Sequence, residues 1–343
     1  MFVDSLIALP IYPEWFLRFV IRILVRKKHR LETKNQSVQG NSYTNIVNML
    51  SEGQLATDFD SSNDQHYEVS TNFFKKVLGD NLKYSCALWT EKTTSLSDAE
   101  EAMLALYCDR AQIKNGQEIL ELGCGWGSLS LYMAKKFPKS KITAMSSSNQ
   151  QRLHIESQKK AFNLTNLNVI TKDINEFDSG QVYDRIVSIE MFEHLSNYKL
   201  LFEKLQNWLK NDGAIFIHVF GHKKFAYQFV NKDVTDWMSR NFFTGGVMPS
   251  ERLFSYFENQ LFIVNQWRVP GIHYMKTANE WVVNMRKNKN KILEILSQDY
   301  PENSPILKYN AWKIFFLACA ELFGFNKGND WMVFHYLMKK KIY

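Results

Sequence analysis

Cysteine is scarce in this chain and never paired in sequence. Cys86, Cys108, Cys124 and Cys319 are the four in 343 residues, and no two form a CxxC pair. That spacing excludes a zinc knuckle or a thioredoxin-type motif, and no metal is expected. Four thiols in a chain this long are no disulfide scaffold, which points to a reducing compartment such as the cytoplasm. Long uncharged hydrophobic runs are lacking too. The apolar stretch Trp15 to Val25 is interrupted by Arg18 and Arg22, so it is too short and too charged to span a bilayer. The first residues carry Asp4 and no basic segment, so a secretory leader is not expected. No internal repeat is present.

What is present suits a packed globular protein. Hydrophobic residues make up 45% and charged residues 22%, which excludes a mainly disordered, collagen-like or coiled-coil chain. The 25 Phe, 15 Tyr and 9 Trp are enough for a large core and for pocket walls. The net charge of +7 is local. Residues 1–32 carry +3, Arg286 to Lys291 +4 and Lys339 to Lys341 +3, leaving the other 302 residues at −3. A slightly acidic body suits a cationic small molecule better than a nucleic acid.

Arg18, Arg22 and Arg26 fall at steps of four, a polar stripe along one helix. Such a helix docks on the body or, helped by Arg26-Lys-Lys-His-Arg30, lies peripherally on a membrane. Residues 33–65 are polar and Ser/Asn-rich and read as a linker, so residues 1–60 form a helical segment with linker and 61–343 the main domain. From about 117 to 220 short apolar strands alternate with helices. Strands are expected at 118–122, 141–145, 168–171, 185–188 and 214–220, later at 261–269 and 331–338. This predicts an α/β, Rossmann-like doubly wound sheet of about seven strands, the last antiparallel. Residues 222–260 read as a helical insertion capping a pocket.

Glu121-Leu-Gly-Cys-Gly-Trp-Gly127 lies between a strand and a helix. Its glycines permit a tight turn and close ligand approach, and the helix start beyond offers free N–H groups. Ser128 takes the place of the third glycine of a GxGxxG turn, and no Gly-Lys-Ser/Thr end makes a phosphate loop. E-x-G-x-G resembles motif I of class I S-adenosylmethionine-dependent methyltransferases. Further segments extend the likeness. They are His66-Tyr-Glu-Val, Leu82 to Trp89, Glu190-Met-Phe-Glu-His194, His218 to His222, Phe242 to Ser250, His273-Tyr274 and Ala318 to Gly324. Together they resemble the cyclopropane-fatty-acid synthase superfamily, most of all its coclaurine N-methyltransferase-like branch.

The resemblance implies a class I methyltransferase fold and S-adenosylmethionine as cofactor, with S-adenosylhomocysteine as product. It implies cofactor contacts from Tyr84, Ser85, Gly123, Gly125, Ser147, Gln151, Asp173 and Ile174. It implies that Glu190 and His194 handle an acceptor amine, with Glu193 in the same pocket and Tyr67 and Glu68 as acceptor-pocket residues. Glu190 and His194, four apart, would share one helix face, and a helix N-terminus would keep Glu190 ionised. Asp173 by itself also reads as a helix N-cap. The end of the second strand, Met145 to Gln151, has no acid for ribose hydroxyls, and Ser147 stands where the branch has Asn.

Cys86, Glu193, His218 and Tyr274 match residues that hold bicarbonate in the lipid-modifying synthases, where the position of Glu190 is usually not acidic. Cys86 itself reads as an inert buried thiol with no charge partner near it in sequence. The expected function is methyl transfer to the nitrogen of a small-molecule amine. Methyl or methylene transfer to unsaturated acyl chains of phospholipids is the alternative. A cofactor-binding protein without turnover is disfavoured by Glu190 and His194. A nucleic-acid methyltransferase is disfavoured by the absence of a target-amine motif of the Asn-Pro-Pro-Tyr type.

Overall fold

A computed structural model of the chain describes residues 12–38, 42–56, 70–229, 245–259 and 261–341. It opens with α1 (Glu14–Val38) and α2 (Ser42–Met49). The composition of 33–65 suggests a linker, yet both helices extend into it. The stretch after α2 is tied down as well. Leu50 and Leu55 are buried, and their carbonyls accept from Tyr198 N and Ser196 N at 2.7 Å each. Tyr67, Glu68 and the His66-Tyr-Glu-Val segment lie outside the described residues.

α1 docks on the body through its polar stripe. Arg18 Nη1 and Arg22 Nε donate to Glu321 at 2.9 and 2.5 Å, and Glu14 faces Arg286 and Lys313. Leu17, Ile21 and Val25 pack on the core beside these ion pairs, while a second apolar face points outward, with Trp15 70% and Phe19 54% exposed.

The chain continues through α3 (Thr71–Val77) and α4 (Leu96–Arg110), the latter started by a capping box between Ser95 and Asp98. Then come β1 (Glu118–Leu122), α5 (Ser128–Lys136), β2 (Lys141–Ser146), α6 (Asn149–Ala161), β3 (Leu167–Thr171) and β4 (Tyr183–Ile189). A 3-10 turn (Phe192–His194), α7 (Tyr198–Trp208) and β5 (Leu209–His222) follow. The short β6 (Tyr227–Gln228) and β7 (Val247–Met248) precede β8 (Leu261–Val269). Helices α8 (Gly271–Lys287), α9 (Lys289–Asp299) and α10 (Pro305–Gly324) lead to β9 (Trp331–Lys340).

The main sheet has the order β3-β2-β1-β4-β5-β9-β8. β1 to β5 are mutually parallel, and β9 runs antiparallel to both β5 and β8. Strand order reverses between β1 and β4, so a crevice opens beyond their carboxyl ends, where ligands bind in open α/β sheets. Residues 230–244 of the expected helical cap lie outside the described residues. The described parts of 222–260 make the β6–β7 ribbon and a 3-10 turn (Leu253–Phe257), while α8 and α10 cover the crevice. Aromatic side chains explain this. Tyr274, Trp281, Phe315, Phe316 and Phe323 pack as one cluster that water cannot solvate favourably, so the helices carrying them close over the sheet.

Candidate active site

The turn after β1 shapes one wall of the crevice. The N–H groups of Gly123 and Cys124 both donate to Met145 O at 2.9 Å, which locks the turn against β2. Gly127 adopts φ +81° as the N-cap of α5, and a Cβ there would lie 2.6 Å from Ile155 Cγ1. Gly125 (φ +52°) has open space where a Cβ would project. Glu121 is buried beneath the turn, accepts from the Ser130 hydroxyl, and is pushed up to about 8 by burial.

Of the sequence-expected site residues, Tyr84, Ser85, Gly123, Gly125, Gln151, Glu190, His194 and Tyr274 line one cavity. Gln151 is fixed by Ser146, whose hydroxyl donates to Oε1 at 2.6 Å. Ser147, Asp173 and Ile174 do not line that cavity. Asp173 Oδ1 accepts from Asn175 N at 2.7 Å within a turn, with no helix starting there for it to cap, and Ile174 packs in the core.

Glu190 directly follows β4 with φ +48°, a left-handed conformation rare for a residue with a side chain and frequent at functional sites. It therefore does not share a helix face with His194. β4 stops, the chain turns, and only Phe192–His194 is helical, as a single 3-10 turn. The two side chains nevertheless line the same cavity.

The Glu190 carboxylate hangs on three donors. Cys86 N donates to Oε1 at 3.1 Å, His218 Nε2 to the same oxygen at 3.0 Å, and Tyr274 OH to Oε2 at 2.7 Å. No helix N-terminus holds it ionised; burial raises its pKa, opposed by the Lys83 charge and these hydrogen bonds. Cys86, His218 and Tyr274 belong to the set that, by the resemblance above, holds bicarbonate in lipid-modifying synthases. Here they grip a carboxylate supplied by the chain itself.

Glu193 is fully buried behind this group and does not reach the cavity wall. Its Oε1 accepts from Phe220 N at 2.7 Å, Oε2 has no hydrogen-bond partner, and burial beside Glu190 raises its pKa far above the usual range. Cys86 does have a charge partner three residues away, Lys83. Burial outweighs it, so the thiol pKa rises and Cys86 is no nucleophile.

Sequence reasoning passes over several residues of this site. Lys83 is buried, donates to Ser85 Oγ at 2.5 Å and Cys86 O at 2.7 Å, and is lowered to about 8 by burial. Its signal is a lone lysine in an otherwise apolar and hydroxylic run, Leu82 to Leu88. His335 backs His218 from the next strand, and only the β5–β9 register reveals that. Trp126, Phe315 and Phe323 add apolar wall.

A family model described as mycolic acid cyclopropane synthetase matches residues 55–332. The chain belongs to the mycolic acid cyclopropane synthetase family. It is 37% identical over 344 residues to (S)-coclaurine N-methyltransferase of Thalictrum flavum subsp. glaucum, covering 98% of this chain and 94% of that relative. A crystal structure of coclaurine N-methyltransferase bound to N-methylheliamine and SAH matches it with a TM-score of 0.93 at 34% identity, covering 98% of each chain. The cyclopropane-fatty-acyl-phospholipid synthase of Escherichia coli (strain K12) is 31% identical over 219 residues, 63% of this chain and 54% of that relative. Within the mycolic acid cyclopropane synthetase family, likeness to N-methyltransferases thus spans nearly the whole chain, and likeness to this lipid synthase only part.

One more cluster has metal-ligand composition, His29, His222 and Asp330, outside the cavity lining. His222 Nδ1 accepts from Lys224 N and Phe225 N at 3.0 and 2.9 Å. That places the proton of the neutral ring on Nε2 and denies a cation its lone pair.

Proposed function

We propose that this protein transfers the methyl group of S-adenosylmethionine to the nitrogen of a small-molecule amine. The observation that carries the reading is the Glu190 carboxylate, hung on three donors in a cavity that also contains His194 and the glycine turn. The nearly full-length likeness to enzymes named for amine methylation supports it.

The glycine turn suits the cofactor. Gly125 leaves open space, and the buried Trp126 indole N–H lines the cavity without a protein acceptor. Tyr84, Ser85, Gly123, Gly125 and Gln151 would hold it. The bound cofactor supplies an electrophilic methyl carbon on a sulfonium. An amine attacks such a carbon only as the free base, so the chain must orient it and take a proton. Glu190, ionised, attracts the cationic amine and fixes the direction of its N–H. Its raised pKa makes it a better proton acceptor than an exposed carboxylate, and His194 stands in the same wall as the second acceptor. Aromatic faces of Tyr84, Trp281, Phe315 and Phe323 provide a dry, cation-tolerant lining.

Transfer to phospholipid acyl chains is disfavoured by the same carboxylate, since it already occupies the donors that the synthases devote to bicarbonate. The test is labelled S-adenosylmethionine with heliamine, (S)-coclaurine and simpler secondary amines, against vesicles of unsaturated phospholipid, with product mass as readout. Label in the lipid fraction alone would overturn the amine reading.

For localisation, we propose peripheral contact with anionic lipid through the outward face of α1. Exposed Trp15, Phe19 and Ile23 are followed on that helix by exposed Arg26, Lys27 and Arg30, which complement an acidic headgroup layer. Co-sedimentation with phosphatidylserine vesicles, lost in Trp15→Ser/Phe19→Ser, is expected; equal sedimentation of both proteins excludes this contact.

A further inference from the structure

Behind Glu190 runs a line of three buried or half-buried nitrogen groups outside the cavity wall. His218 Nδ1 and His335 Nε2 lie 2.9 Å apart, and His335 Nδ1 lies 2.7 Å from Arg110 Nη1. Both histidines are fully buried. Arg110 ends α4, and its guanidinium also covers the Trp267 ring at 4.9 Å.

The donors and acceptors along this line are determined. A guanidinium only donates, so His335 Nδ1 accepts. A neutral His335 then carries its proton on Nε2 and donates to His218 Nδ1. His218 in turn carries its proton on Nε2 and donates to Glu190 Oε1. Burial and neighbouring positive charge lower the pKa of both rings well below the usual histidine value, which keeps them neutral. Burial also lowers Arg110 from its ordinary value, but a guanidinium stays protonated at any pH where proteins fold.

We infer that Arg110, His335 and His218 form a one-way hydrogen-bond relay that holds the Glu190 carboxylate in its ionised, proton-accepting form. The claim rests on the reading of Glu190 as the group that handles the amine. The relay does not conduct the proton away, because Arg110 cannot accept one. It aligns three donor dipoles and one fixed positive charge on Oε1. Such chains polarise one another in a low-dielectric interior. The opposing influence is burial, together with Glu193. Lys83 on the preceding segment, Tyr274 on α8 and His194 on the 3-10 turn also favour the ion, while Tyr107 on α4 packs against His218 and His335. Arg110, His335 and His218 are positioning residues, since none of them lines the cavity.

Two measurements test the relay. In protein labelled with 15N-histidine, long-range proton–nitrogen correlation should show both His218 and His335 neutral with the proton on Nε2, assigned by signals lost in His218→Gln and His335→Gln. A proton on Nδ1 of either ring overturns the relay, whatever the enzyme's acceptor. In pH–rate profiles with heliamine, His335→Leu and Arg110→Met should move the acid limb of kcat up by about one unit, lowering kcat about tenfold below it. The high-pH plateau should be nearly kept, as should KM for S-adenosylmethionine. Arg110→Lys and His335→Gln, which keep a donor at each step, should restore most of the profile. A loss of kcat equal at every pH would mark these residues as merely structural and refute the relay. If Glu190→Gln itself leaves kcat unchanged, the underlying reading of Glu190 fails, and the histidine tautomers are then judged separately.

Discussion

The Tyr274 hydroxyl donates to Glu190 Oε2 at 2.7 Å, and the Tyr274 ring is stacked on Phe323 with centroids 4.2 Å apart. A helix that closes over the sheet thus delivers a donor to the carboxylate at the end of β4. Tyr274→Phe keeps the stack and removes only the donor. Glu190 then loses one interaction that opposes its raised pKa. The acid limb of the pH–rate profile should shift upward, with kcat at pH 7 reduced about five- to thirtyfold, equivalent to about 1–2 kcal/mol. An unchanged acid limb would show that Tyr274 acts only by packing.

Glu190→Gln should separate activity from stability. Turnover should fall by about 10²–10⁴, the usual range for removing a general base. Stability should move the other way. The folded-state pKa of Glu190 is raised, so the folded protein binds its proton more readily than the unfolded chain. Stability is therefore lost as pH rises from the unfolded value of 4.5 toward the folded one. A neutral amide escapes that loss, so the urea midpoint of Glu190→Gln at pH 8 should match or exceed that of the parent. A less stable variant would mean that the hydrogen bonds to the carboxylate outweigh its burial.

Glu121 gives a cleaner case of the same linkage, since its folded pKa is raised from 4.5 to about 8 by burial. Its contribution weakens the fold across that window at up to about 1.4 kcal/mol per pH unit. Glu121→Gln, still able to accept from Ser130, should flatten the fall of unfolding free energy between pH 5 and 8. Parallel curves for parent and variant would refute the assignment.

The parts of this enzyme that were legible in sequence are those set by local pattern. Apolar runs separated by turns located all seven strands of the main sheet, and Glu121 to Gly127 located the turn that opens the crevice. What depends on chain reversal was not legible. The step of four from Glu190 to His194 suggests one helix face, but a left-handed Glu190 and a single 3-10 turn bring both to the cavity by another route. His335 looks like one polar residue in an apolar strand until β9 pairs with β5 and sets it opposite His218. The polar stripe of α1 suggests a docked helix, yet the partner it finds, Glu321, lies 299 residues beyond Arg22. In the last two cases the deciding partner is distant in sequence.

Gly125 and Gly127 offer a contrast within one turn. Both have positive φ, so alanine at either strains the backbone by about 1–2 kcal/mol. At Gly127 the new methyl would also strike Ile155, a fully buried residue of α6, which adds about 1–3 kcal/mol of overpacking. Gly127→Ala should therefore lower the urea midpoint strongly. Adding Ile155→Ala should return part of that loss, making the double variant more stable than additivity allows. At Gly125 the methyl meets nothing in the protein and projects where the turn lines the cavity. Gly125→Ala should then unfold only slightly earlier than the parent, while calorimetric affinity for S-adenosylhomocysteine drops at least tenfold. Equal affinity in Gly125→Ala would mean that the cofactor does not approach the turn at that residue, and the binding set would have to be redrawn around Tyr84, Ser85 and Gln151.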